Sequence, residues 1–149
     1  MIIRENQDSI FFREVSIRIC GSLEIQKALW MCFQYVRQVM PLDELHMAFY
    51  DHTLGTMKTI AMADEQGGKT ITDDTPLSLL SRKELDEPLL HPRVRNVSSL
   101  SDPICHHVCK QWGWNVSSFL VNRLIVDGIH IGSFVARAEG ENRYTDDHL

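Results

Sequence analysis

The amino-acid sequence predicts an α/β fold of the α+β kind, a central antiparallel sheet with helices on both faces. Three observations carry this. Ile25, Leu29, Cys32, Val36 and Val39 recur at the three- and four-residue steps of an amphipathic helix. Two apolar runs, 118–126 and 129–138, flank Asp127-Gly128, the turn pair that suits a two-residue hairpin. Both faces of that hairpin are apolar, so both need cover.

Each element follows from its residues. A short helix is expected over 10–19, with Phe11, Phe12, Val15 and Ile19 on one stripe and Gly21 as the break. Ser22 is the expected cap of the long helix, Glu24 suits its first turn, and Pro41 is its expected stop. The period then changes. Leu45, Met47 and Phe49 alternate with His46, Ala48 and Tyr50, as in a strand, and 57–63 is the returning strand. Residues 64–69 read as a polar loop. Thr75-Pro76 reads as a cap and first-turn proline of a short helix reaching Leu80. Pro88, Pro92 and the run 96–101 read as a long excursion with no continuous element. Asp102-Pro103 opens a helix that Gly113 closes. With Val126 opposite Ile129, counting back puts Phe119, Val121 and Arg123 on one face with His130, Gly132 and Phe134. Thr145, followed by Asp146 and Asp147, reads as the start of a last helix.

The 149 residues are expected to form one domain, 1–149, with 1–21 as an N-terminal helical segment and a C-terminal helix starting near 145 and cut short. Charged residues are 23% and the net charge is −5, so this chain has no basic excess with which to grip nucleic acid directly. The longest apolar run, 28–33, is far below the roughly 18 residues of a membrane span, and nothing resembles a signal peptide. A cytoplasmic protein is expected, and Cys20, Cys32, Cys105 and Cys109 are expected to be thiols.

Two groups could carry chemistry. In Cys105-His106-His107-Val108-Cys109, thiolates and imidazoles of the kind that bind zinc or iron lie close together, with Cys105, His106 and Cys109 as the ligands. However, Ile104, Cys105, Val108, Cys109 and Trp112 form one apolar stripe, the pattern of a helix packed on a sheet, and no metal is assigned. Arg123 stands mid-strand in an apolar row. A buried guanidinium requires an anionic or polar partner, either an internal carboxylate or the acid group of a ligand. There is no Gly-x-x-x-x-Gly-Lys-Ser/Thr loop, so no ATP hydrolysis is expected.

The order of elements resembles a GAF domain. The run Ser118-Phe-Leu-Val-Asn-Arg-Leu-Ile-Val-Asp-Gly-Ile-His-Ile-Gly-Ser-Phe134 is similar to the family's penultimate strand, turn and return strand. Arg143-Tyr-Thr-Asp-Asp-His-Leu149 resembles its approach to the last helix. The nearest variety is the N-terminal sensor of bacterial sigma-54-dependent, Fis-type transcriptional activators. That resemblance implies a non-catalytic domain that binds a small-molecule ligand or a protein, signals to an attached AAA+ ATPase and DNA-binding domain, and forms a homodimer. It implies a ligand pocket between sheet and helices drawing on Phe119, Val121, Arg123 and Phe134, walled by Trp112 and Trp114. It names no cofactor. The Asn-Lys…Phe…Asp-Glu pattern of cyclic-nucleotide GAF domains and the Pro-Cys-His context of bilin attachment are not matched. The alternatives are a thiol enzyme like the GAF-type free methionine sulfoxide reductases, or a metal-dependent sensor, both built on Cys105 and Cys109.

Overall fold

The computed structural model describes residues 24–86 and 94–149 and, ahead of them, residues 7, 10, 11 and 15. The expected cap Ser22, the break at Gly21 and Cys20 lie outside the described residues, as do 87–93. Ile10, Phe11 and Val15 are helical. Among the described residues six strands form one antiparallel sheet: β1 Glu44–Asp51, β2 Thr56–Asp64, β3 Gly67–Pro76, β4 Val94–Ser98, β5 Ser117–Val126 and β6 Ile129–Glu139. Their order across the sheet is β3-β2-β1-β6-β5-β4. The helices are α1 Ile25–Val36, α2 Leu79–Asp86 and α3 Pro103–Trp112, and a 3-10 turn spans Asp146–His148. No helix among the described residues is long and apolar enough to cross a membrane.

Helix α1 presents Leu29, Cys32 and Phe33 to one face of the sheet, where Leu45, Ala61, Ala63, Leu120, Ala136 and Ala138 complete the main core. Helix α3 covers the other face, with Cys105 and Cys109 on Phe119, Val97, Val121 and Val135. Asp102 caps α3 through its carboxylate and the Cys105 amide, 3.0 Å apart. Asp127 and Gly128 both have positive φ, 51° and 75°, which matches the right-handed twist of the two strands they join.

The structure corrects four expectations. Helix α1 ends at Val36, short of Pro41, and the Glu24 side chain at its N-cap makes no capping bond. Residues 67–76 are an edge strand, joined to β2 by a tight turn at Glu65 and Gln66; Thr75 and Pro76 end this strand opposite Met57 and Thr56. Proline is tolerated there because an edge strand has an unpaired side. The Ser78 hydroxyl takes the capping role at α2, accepting from the Ser81 amide at 3.1 Å. The stretch 94–98 is a strand, paired with β5 from Val94 opposite Asn122 to Ser98 opposite Ser118.

The fourth correction decides which residues share a face. Val126 does pair with Ile129 and Ile125 with His130, but Leu124 then pairs with Gly132, leaving Ile131 as a bulge. From there every partner is shifted by one, so Arg123 faces Ser133 and Asn122 faces Phe134. A shift of one residue sends a side chain to the opposite face. Phe134 therefore belongs to the α1 side, away from Phe119, Val121 and Arg123.

Gly68 on β3 lies directly under α1, where a Cβ would strike the Gln26 carbonyl. Gly68→Ala is expected to lower the unfolding free energy by about 1–3 kcal/mol through overpacking against rigid backbone, read by urea denaturation.

Candidate functional site

A cavity of about 100 Å³ lies between α3 and the sheet. The even residues of β1 place His46 and Ala48 on its floor, and β5 and β6 add Phe119, Val121, Ser133 and Val135. Ile104, Cys105 and Val108 of α3 form the roof, and Trp114 stands at the side. Arg95 of β4 pairs with Asp102 at 3.5 Å, so both charges in the wall are compensated locally. Helix α3 is also tied to β3: Gln111 donates to Asp73 at 3.0 Å and accepts from the Thr75 hydroxyl at 3.3 Å.

His46 is the unusual member. It is 7% exposed, and its Nε2 has no hydrogen-bond partner among the described residues. Its ring meets Trp114 and Trp112 edge-on at centroid distances of 5.2 and 5.9 Å. Those indoles stack on each other, 5.2 Å apart and 27° from parallel. Arg137 lies 4.2 Å from the Trp114 ring centroid, donates from Nε to the Ser117 hydroxyl at 3.1 Å, and pairs with Glu44. Burial, with the positive charges of Arg137 and Lys69, pushes the His46 imidazole down to about 3. Burial pushes the Glu44 carboxyl up, against the pull of Arg137.

The structure gathers only part of the expected ligand set. Phe119, Val121 and Trp114 line this cavity, whereas Trp112 stacks behind Trp114 without reaching it. Arg123 is 2% exposed on the same sheet face but lines neither this cavity nor the one on the α1 side. Phe134 lines that second cavity, about 330 Å³, with Leu45, Leu120 and Leu124. His46, Arg95, Asp102 and Thr75 were not expected at a site. The signal for His46 was a basic side chain in step with Ala48 on an apolar strand; the others are brought in by pairing between distant strands.

Cys105 and Cys109 are free thiols, and both, like Cys32, are buried. Burial, with Asp102 beside it, pushes the Cys105 thiol well above its usual range, opposite to what a reactive thiolate needs. His106 and His107 are exposed on the outer side of α3. No group of three or more His, Cys, Asp or Glu among the described residues could hold a metal ion.

Comparison with solved structures places this architecture. The phycocyanobilin-bound GAF domain of a cyanobacterial phytochrome superposes with a TM-score of 0.63 at 17% identity, over 96% of this chain and 85% of that one. The GAF domain of a phosphoenolpyruvate-protein phosphotransferase from Coxiella burnetii gives 0.63 at 13% identity, over 93% and 81%. The chromophore-binding domain of Stigmatella aurantiaca phytochrome P1 gives 0.64 at 17%, over 93% of this chain and 55% of that one. No protein-family model and no curated protein matches the sequence. The fold is that of a GAF domain.

Two outcomes follow. Between about pH 6.5 and about 3 the unfolded chain binds a proton at His46 that the folded chain refuses. The stability that depends on neutral His46 is complete above the unfolded value of 6.5 and is lost as the pH falls toward 3. His46→Phe is expected to flatten that part of the pH–stability curve, measured by urea denaturation at a series of pH values. Iodoacetamide is expected to modify Cys105 and Cys109 slower in the native than in the unfolded protein, by about two orders of magnitude or more, read by peptide mass spectrometry.

Proposed function

We propose that this chain is a non-catalytic regulatory sensing domain, and that its small-molecule ligand enters the cavity between α3 and the sheet. The cavity itself carries the reading: it lies between α3 and the sheet, and its wall includes His46, a buried imidazole whose Nε2 has no hydrogen-bond partner among the described residues. Phe119, Val121 and Trp114 line it, and Arg123 sits beside them on the same sheet face. The phytochrome GAF domain named above is bound to phycocyanobilin, so the fold is compatible with a buried small molecule. A volume of about 100 Å³ is far too small for a tetrapyrrole, and the ligand here is of another kind.

The output runs through the sheet to the helical α1 face. Occupancy that favours one packing of α3 over another by a few kcal/mol is enough to bias an attached domain. That domain is an AAA+ ATPase with a DNA-binding partner in a cytoplasmic, homodimeric bacterial transcriptional activator. The burial of Cys105 and Cys109 and the raised Cys105 thiol disfavour the thiol-enzyme alternative.

The test is an NMR screen of neutral, anionic and cationic fragments against the chain. At least one is expected to shift the methyl signals of Val108, Val121 and Val135 while leaving Leu29 and Leu45 unmoved. If no fragment of any charge does so, the domain is an occluded interaction module and the sensing reading fails.

A further inference from the structure

We infer that the larger cavity, on the α1 side of the sheet, is a second binding site that takes an uncharged, mainly apolar molecule of about two fused rings, with Asn122 meeting its polar group. It lies on the opposite face from the cavity under α3 and does not depend on the sensing reading.

The fold leaves this space for a simple reason. Helix α1 packs chiefly on β1, β2 and β3. The strands β6, β5 and β4 lie mostly beyond it, and they supply the floor through Phe134 and Ala136, Leu120 and Leu124, and Val94. Val36 and Met40, at and just past the end of α1, form one side, and the helical residues Phe11 and Val15 form another. These two sides are tied together. The Phe11 and Tyr35 rings are 6.1 Å apart, and the Val15 carbonyl accepts from the Cys32 thiol at 3.8 Å.

Size sets the first limit on an occupant. The cavity is about 330 Å³, roughly twice the ~150 Å³ that accommodates benzene. It falls inside the range of about 300–1,000 Å³ typical of small-molecule sites. The lining sets the second limit. Among the described residues it contains no Asp, Glu, Lys or Arg. An ionised ligand would lose its water here and gain no opposite charge. Its polar side chains among the described residues are Asn122 and His148. An ordered water needs two to four polar partners, so a carbon skeleton suits most of this volume better than water.

The two polar groups differ in what they have to offer. His148 Nδ1 already accepts from the Thr145 amide at 3.0 Å. Asn122 stands between Leu120 and Leu124 on the cavity face of β5, opposite Phe134 and Val94. Its side chain makes no hydrogen bond among the described residues. A carboxamide both donates and accepts, so it can meet a hydroxyl or a carbonyl without any change of charge.

The test adds naphthalene, 2-naphthol and 2-naphthoate to the methyl-labelled chain and follows it by NMR. Both uncharged probes are expected to shift the methyls of Leu120, Leu124 and Val94 saturably, with Val121 and Val135 on the other face unmoved. 2-Naphthoate is expected to shift none of them. In Asn122→Leu, 2-naphthol is expected to bind about fivefold more weakly, the loss of one hydrogen bond, while naphthalene binds no more weakly. If neither uncharged probe moves the Leu120 and Leu124 methyls, the site is overturned. If 2-naphthoate binds as tightly as naphthalene, the uncharged class is overturned. If Asn122→Leu leaves 2-naphthol affinity unchanged, the role of Asn122 is overturned. Should Asn122→Leu not fold, Asn122→Ala makes the same comparison. Val121 and Val135 report the cavity under α3, so failure of this site and failure of the sensing reading are read from different signals.

Discussion

A buried guanidinium organises the centre of this sheet. Arg137 points to the α3 side of β6, where it pairs with Glu44 on β1, donates to the Ser117 hydroxyl on β5, and lies against the Trp114 ring. A charge this deep is tolerable only because every neighbour answers it: a carboxylate, a hydroxyl and a π face. Its three partners come from three separate parts of the chain, so the pairing of β1, β6 and β5 and the position of the loop after α3 are specified together. The same charge acts at a distance. By disfavouring a second cation it helps keep His46 neutral, and a neutral imidazole can sit in an apolar wall. The chemistry of the cavity thus depends on an interaction outside it.

The sheet divides the molecule into two environments with different tasks. On the α1 side, the main core is filled by Leu29, Cys32, Phe33 and Leu45, and close backbone approach at Gly68 holds the helix down. On the α3 side, the packing is lighter: two cysteines and Phe119 form the buried cluster, and the helix is fastened at its ends, by Asp102 at the start and Gln111 near the finish. Helix α3 thus lies over a small cavity and is held near its two ends. Both sets of side chains stand on the same strands, alternating along β1 and β5.

Most of the element types were legible in the sequence, and the reasons are local. Asp102-Pro103 and Gly113 bound α3 because capping, a missing amide hydrogen and a left-handed stop are properties of single residues. The β5–β6 turn was legible because Asp127-Gly128 suits two successive positive φ angles. The edge strand β3 was not, since its Gly-Gly-Lys-Thr start is polar and lacks β-strand alternation, and it forms only because β2 offers a row of unpaired backbone groups. The same holds for β4, five residues stabilised by pairing with β5.

The candidate site shows the division more sharply. The sequence by itself determined that the hairpin carries apolar residues on both faces, that α3 presents Cys105 and Cys109 inward, and that Trp114 precedes β5 while Phe119 lies on it. Hydrophobic period and caps decide these, and both act within a few residues. Only the tertiary structure decided which of them meet. One bulged residue, Ile131, moved Phe134 to the other side of the sheet and left Phe119 and Val121 facing α3 without it. Strand pairing then brought His46 from β1 and Arg95 from β4 to the same cavity, from positions far apart in the chain. A bulge depends on how a strand must bend to satisfy both neighbours at once, and a cavity depends on what several elements leave unfilled. Both are properties of the assembled sheet.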